Sequence, residues 1–532
     1  MLRASRNRKG CFVKTKERQV VKLEQKKKLL FCMLVAFLWG CVSHAYAFFN
    51  LPLAHDSLNE FFAGVEEDAW KISLGRVFVP VYRQLVRGPY TAPWLIGMLG
   101  MLWIGIAVYL IQDVFQRYGI FDTVLLSGIL VSNISVTALI ATYLHDLDFN
   151  MFAMLLAVWA FWLWNKGGWW ILLGALATTV SLGIYQSYVS VTITLIMLWS
   201  ILQLLRDQKV QAVFVSGLKA MGMLLCGAGL YLVSVKLVCS LTGVPLRKEG
   251  YNSLTNVLSI ADGRALVSAI RDVYDSWWCA FSEPITVDAV WPMVLANKVL
   301  VFFVMISICI LVLNKRLRVL AVGLILGLGA LLPLGMNLTR LLNKGVTHHL
   351  MVYAFFLLYF FADSLKEELK KLEVQSIVQK LVKPLRCICT VVLVLALWNN
   401  VKVSNAAYLY RNITQQTTLS VMTRVVDRME QQPDYIAGQT PVAFIGKTSA
   451  QTRSEFASIT GITGFWQETA LQTTYLDTYP KYFRYILNEP LQLCSDETLS
   501  SIRQNDAVQQ MPVFPAEGCV QMMNGVLVVK FS

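Results

Sequence analysis

The sequence predicts a mainly α polytopic membrane protein of about eleven transmembrane helices with a small extracytoplasmic α/β domain at its C-terminus. Three observations carry this. The 532 residues are 56% hydrophobic and only 15% charged, with a positive mean hydropathy; soluble domains carry roughly 25% charged residues. Long apolar segments recur along the first 400 residues or so and then stop. Basic clusters flank alternate segments, and they hold much of the formal net charge of +14.

Apolar segments lie at about 30–48, 93–114, 120–142, 150–166, 169–185, 187–205, 211–241, 293–313, 318–336, 346–362 and 385–401. A helical span needs about 20 residues, so most qualify, the pair joined by "NKGG" being short. The connections "FQRYG", "RDQK", "NKRLR" and "KEELKKLEVQSIVQKLVKPLR" are rich in Lys and Arg and alternate with poorer ones. By the positive-inside rule the N-terminus is cytoplasmic and the C-terminus faces outward. Residues 1–29 form a basic cytoplasmic segment, 30–401 the transmembrane domain with an acidic first outward loop at 49–92, and 402–532 the extracytoplasmic domain. The basic N-terminus lacks interleaved stacking aromatics beyond Phe12, which speaks against nucleic-acid binding. "VSHAYA" before Phe48 resembles a signal-peptide cleavage site, although the basic region ahead of it is long for one.

After Val401 the composition becomes that of a soluble domain. "TPVAFIG" reads as a strand and "CVQMMNGVLVVKF" as a hairpin turning at Asn524-Gly525. "FIGKTS" is no P-loop, because Pro441 stands where the upstream glycine is required. Eleven cysteines are scattered without a CxxC pair or metal-ligand spacing. Cys387 and Cys389 read as small buried hydrophobes, and Cys494 and Cys519 could pair as a disulfide if their region is extracytoplasmic. The sequons at Asn133, Asn337 and Asn412 would matter only in a eukaryotic secretory pathway.

Two outward segments hold the carboxylates that could carry chemistry. The first holds His55, Asp56, Glu60, Glu66, Glu67 and Asp68, the second His145, Asp146 and Asp148. Glu66, Glu67 and Asp68 read as a solvated loop. Asp56 and Asp146 are set tightly between apolar runs, where a partly desolvated carboxylate holds a proton more readily and could take one from a hydroxyl. "SLGRVFVPVYRQLVRGPY" reads as an interfacial helix with Arg76, Arg83 and Arg87 on one arc and Val77, Phe78, Val81 and Leu85 opposite. Pro80 belongs in its first turn, so Arg76 precedes the helix proper. These arginines could hold membrane phosphates in general or one substrate phosphate bidentately. Arg340, Lys344, His348 and His349 form a second basic group suited to phosphate or to snorkelling at the interface, adjacent histidines being poorly placed to share a metal. "GIYQSYVS" sets Tyr185, Gln186 and Tyr188 at the outer end of a helix, where aromatic belts also occur.

The acidic first outward loop, the second carboxylate pair and the outward C-terminal domain together resemble the GT-C glycosyltransferases. More closely, the chain resembles the Gtr-type glucosyltransferases that modify bacterial O-antigen. The segments concerned are "HDSLNEF" with Trp70, Gly75 and Arg76 after it, "YLHDLDFNMFAMLLAV", "SLGIYQSYVSV" and the terminal "MPVFPAEGCVQMMNGVLVVKFS". Asp56 is followed by Ser57 rather than by a second acid, which leaves Glu60 as a nearby candidate. The resemblance implies an integral protein of the bacterial inner membrane with a periplasmic C-terminal domain. It implies inverting transfer of a hexose, glucose first, from undecaprenyl-phosphate-hexose to O-antigen or another surface polysaccharide. Asp56 would be the base, with Asp146, Asp148 and Glu60 assisting. Arg76, Arg83, Arg340, His348 and His349 would hold the donor phosphate, and His55, Trp70, His145, Tyr185 and Gln186 the remaining substrate. No cofactor is expected, a divalent ion having no support in the residues, and dependence on a donor synthase and a flippase is implied.

Other classes stay open on the residues alone. A lipid-linked-saccharide translocase would line its spans with ionisable groups, whereas Lys219 and Lys236 are the main mid-span examples, and the chain shows no internal repeat of the kind many transporters carry. A polysaccharide polymerase or ligase would also work at the outer leaflet.

Overall fold

The computed structural model describes residues 2–51, 53, 57–58, 67–88, 90–117, 119–248, 263–282, 291–343, 345–372, 376–446 and 478–532. Long apolar runs form helices because a backbone away from water must satisfy its own hydrogen bonds. In chain order the helices are α1 (Leu2–Asn50), α2 (Glu67–Ser73), α3 (Val79–Val86), α4 (Pro93–Phe115), α5 (Ile120–Ser132), α6 (Ile134–Tyr143), α7 (Leu147–Lys166), α8 (Trp170–Ile184) and α9 (Val189–Leu205). They continue as α10 (Val210–Thr242), α11 (Gly263–Ser282), α12 (Trp291–Lys315), α13 (Val319–Met336), α14 (Leu338–Leu342), α15 (Leu357–Lys370) and α16 (Ser376–Glu430).

Each of the eleven apolar segments carries helix. By length and composition, eight stretches among the described residues could cross a membrane. One of them, Ile120–Lys166, is broken twice, and Trp170–Ile184 is shorter than the rest. The first break is at Asn133, whose backbone leaves the helix and whose side chain caps α6 by accepting from the Ser135 and Val136 amides. The second is the turn Leu144–Asp146. Asn133 and Asn337 are buried, so two of the three sequons face the interior.

The composition change at Val401 falls inside α16, which runs on unbroken to Glu430. Beyond it, β1 (Pro441–Ile445), β2 (Gln492–Leu493), β3 (Val520–Met523) and β4 (Val526–Lys530) form one sheet in the order β2-β1-β4-β3. β1 runs parallel to β2 and β4, and β3 with β4 makes the expected hairpin. Asn524 and Gly525 both have positive φ, the twist-matched geometry for a two-residue turn. Period-2 alternation buries both faces. Val442, Phe444, Leu527 and Val529 pack with Val421, Met422 and Val425 of α16, and also with Leu53 and Leu58 just after α1. Ala443, Ile445, Val526 and Val528 pack beneath α17 (Asp496–Gln504) and α18 (Asp506–Gln510). Cys494 and Cys519 are free thiols in this structure rather than a disulfide, and Cys519 Sγ accepts from Arg428.

Candidate active site

The segment 67–88 folds back onto the turn between α6 and α7. Gly75, at positive φ, closes the link from α2 toward α3, and Pro80 sits in the first turn of α3, leaving Arg76 ahead of it. The Phe78 amide donates to Gly183 O at 2.9 Å. A β-carbon on Gly183 would collide with the Phe78 ring, so glycine there lets the segment close on the end of α8.

α3 turns its arginine arc inward. Arg83 is 3% exposed while Val81 and Leu85 are 50% and 81% exposed, so within α3 the cation faces the carboxylates and these two apolar side chains face away, whereas Val77 and Phe78 ahead of the helix pack inside with Leu182 and Tyr231. Arg83 pairs with Asp68 at 3.1 Å, and Arg87 Nε stands 2.9 Å from Asp148. Arg87 also donates to His145 O at 2.8 Å. Asp68 is thus an ion-pair partner and not the solvated loop acid that composition suggests. Lys71 Nζ donates to both oxygens of Asp146, at 2.9 and 3.0 Å, with the Phe149 ring 5.7 Å away. The expectation for Asp146 considered desolvation alone; Lys71 compensates the charge that burial leaves exposed to a low dielectric.

Arg76 is held differently. Its closest approach to Asp146 is 3.8 Å, beyond hydrogen-bond length. Its guanidinium lies over the Tyr185 ring at 4.7 Å, a cation–π arrangement that leaves the fork's edge able to take an anion. His145 is buried with Nε2 at 3.5 Å from Asp146. Tyr185 and Tyr188 are buried rather than placed as an aromatic belt, and Tyr188 continues the ring contacts to Tyr353. Gln186 donates to Leu74 O and to the Tyr231 hydroxyl, both at 3.0 Å, which ties α10 to the segment. Trp70 is half-exposed under the Arg247 guanidinium at 4.9 Å.

The structure therefore gathers Trp70, Arg76, Arg83, His145, Asp146, Asp148, Tyr185 and Gln186 into one neighbourhood. It adds Lys71 and Arg87, of which Lys71 carries no sequence signal because its partner lies 75 residues away. His55, Asp56 and Glu60, with Glu66 and Lys344, lie outside the described residues, between or beside stretches that are described. Arg340 is engaged elsewhere, bound bidentately to Asp272 of α11 at 2.7 and 2.8 Å, although α14 packs beside the turn Gln186–Tyr188. His348 is half-buried, and burial lowers its proton affinity. His349 lines a separate cleft with Asn297, Phe356, Tyr359 and Asn400. Among the described residues no group of three or more His, Cys, Asp or Glu is placed to hold a metal ion.

No curated protein and no solved structure matches the chain significantly. The family model for glucosyl transferase GtrII matches residues 45–362. That stretch is more than half of the chain and contains the segment 49–92, the carboxylate turn and the arginines that close on it. Helices apolar enough to cross a membrane and this match together give a multi-pass membrane protein of glucosyltransferase type: the chain belongs to the GtrII glucosyl transferase family.

Proposed function

We propose that the protein transfers glucose from undecaprenyl-phosphate-glucose to a surface polysaccharide such as O-antigen, at the outer face of the bacterial inner membrane. The observation that carries this is the buried cation cluster at the His145–Asp148 turn. Lys71, Arg83 and Arg87 are matched with carboxylates, and Arg76 lies over an aromatic face without a hydrogen-bonded acid among the described residues. A cation so placed suits a sugar phosphodiester whose lipid tail stays in the bilayer.

In this reading Asp56 takes the proton of the acceptor hydroxyl. The acceptor oxygen then forms its bond to the anomeric carbon from the face opposite the phosphate, the carbon–oxygen bond to the phosphate breaks, and the configuration inverts. Undecaprenyl phosphate leaves with its added charge balanced by Arg76. Asp146 and Asp148 hold the cations in register, and Glu60 is the reserve carboxylate in the base's loop. Arg83, Arg340, His348 and His349 would contact the donor phosphate, Arg340 and His349 only after leaving their present surroundings, and His55, Trp70, His145, Tyr185 and Gln186 the sugars.

The topology that accompanies this has eleven crossings. Ile120–Lys166 counts as two that turn at 143–149, with Trp170–Ile184 and the helical stretch 349–370 as further ones, so the sheet domain lies in the periplasm. A donor synthase and a flippase would supply the substrate. Transfer of radiolabelled glucose from undecaprenyl-phosphate-glucose to lipopolysaccharide, in membranes holding matched amounts of protein, tests the assignment. Wild type transfers and Asp56→Asn falls by about 100-fold or more; an unchanged rate in Asp56→Asn removes the base.

A further inference from the structure

α16 carries a polar stripe that the proposed chemistry does not use. Ser404, Tyr408, Arg411 and Gln415 recur at steps of four, three and four residues, which places them within an arc of about 60°. Each binds an earlier part of the chain. Ser404 Oγ meets Thr137 Oγ1 of α6 at 2.7 Å, and Tyr408 meets His44 Nδ1 of α1 at 2.7 Å. Arg411 Nε donates to Ala141 O at 3.2 Å, and Gln415 accepts from the Leu53 amide at 3.1 Å. Ser404, Tyr408 and Arg411 are buried in the protein, where a lost polar partner is costly, so the stripe registers α16 against α1 and α6 over about 16 Å.

Arg411 is the member that reaches the helix leading into the carboxylate turn. It is among the large side chains that are fully buried, at 1% exposure. Ala141 lies in the last turn of α6, where carbonyls lack intrahelical donors and the helix dipole favours a cation. Two residues on, the Tyr143 ring stands edge-on to His145 at 6.0 Å, and Arg87 grips the His145 carbonyl. The turn is thus held by the first outward segment and by Arg411 of α16.

We propose that Arg411 is a positioning residue for sugar transfer. By holding the last turn of α6 it fixes where His145, Asp146 and Asp148 stand relative to Lys71, Arg76 and Arg87. The effect on transfer rests on the turn being the active site; the effect on the turn does not.

Hydrogen exchange and glucose transfer, both on the full chain, test the two parts separately. In Arg411→Leu the peptide spanning 143–150 should exchange about 10-fold faster while peptides of α12 and α13 keep their rates, with Arg411→Lys in between. In the same membranes kcat should fall about 10-fold with donor KM within about twofold. In an Asp148→Asn background, where the turn is already released, Arg411→Leu should cost less than about twofold more. Unchanged exchange at 143–150, an increase spread evenly over all peptides, or losses that simply multiply in the double variant would overturn the proposal. The local exchange effect with wild-type transfer in Asp146→Asn would instead overturn the active-site reading.

Discussion

Two buried charge clusters lie at opposite ends of α4, and they are built from the same residue types. Near its start, Lys71, Arg76, Arg83 and Arg87 meet Asp68, Asp146 and Asp148. Just past its end, Arg117 meets Asp363 and Asp122 at 2.7 Å each, Lys366 pairs with both acids, and Arg206 reaches Glu368 at 2.8 Å. In the second cluster acids of α15 tie down the ends of α4 and α9, short contacts between regular helices. In the first, all four cations come from one segment and clamp an irregular turn, and the Arg76–Asp146 contact is too long for a hydrogen bond. Burial, composition and the length of one pair do not separate a latch from a site here, since Arg117–Glu367 at 3.6 Å and Lys315–Glu368 at 4.0 Å are loose too; backbone context does. The family match also stops at residue 362, one position before Asp363.

Paired substitutions break this comparison most sharply. Asp146→Asn should lower glucose transfer by about 10²–10³-fold with protein amounts maintained. Asp363→Asn leaves Arg117 and Lys366 without their fully buried partner and should cost about 3–5 kcal/mol of stability. It should reduce the folded amount in membranes while the surviving protein keeps its kcat, and a reversed pattern would dissolve the distinction. Next in size, Arg76→Ala should cut kcat/KM for the lipid donor by about 10–100-fold, with Arg76→Lys restoring part, because a lysine supplies charge without the planar fork.

Smaller effects sharpen it further. Gly183→Ala pushes on Phe78 and so displaces the arginine segment without touching a charge; about a fivefold loss of transfer is expected, with overpacking costing about 1–3 kcal/mol. Rates equal to wild type would show that the segment moves freely against α8. The smallest effect is on stability against pH. Burial lowers the proton affinity of His348 from its ordinary value of 6.5. Its contribution is therefore present above that value and is lost as pH falls through it toward the folded one, since only the unfolded chain gains the proton early. His348→Gln should flatten the decline of Tm as pH falls below 6.5, measured by a thermal melt in detergent.

Much of this architecture is legible in the residues. The apolar segments, Pro80 at the start of α3, the β1 strand and the Asn524-Gly525 turn all depend on short-range preferences, and each appears where the sequence puts it. The continuation of α16 past Val401 is less legible, because the helix is held by packing on both sides of a composition change. Cys494 and Cys519 show the same limit, since spacing along the chain says nothing about whether two thiols meet.

By itself, the sequence determined a membrane chain with carboxylates and arginines gathered into segments between its apolar helices, because hydropathy and charge placement are local properties. Only the tertiary structure decided that α3 presents its arginines to Asp68 and Asp148 rather than to the bilayer, that Lys71 rather than solvent answers Asp146, and that Arg411 reaches Ala141 across 270 residues. A buried charge takes whichever partner the packing brings within reach, and that partner is set by how helices far apart in the chain come to lie together.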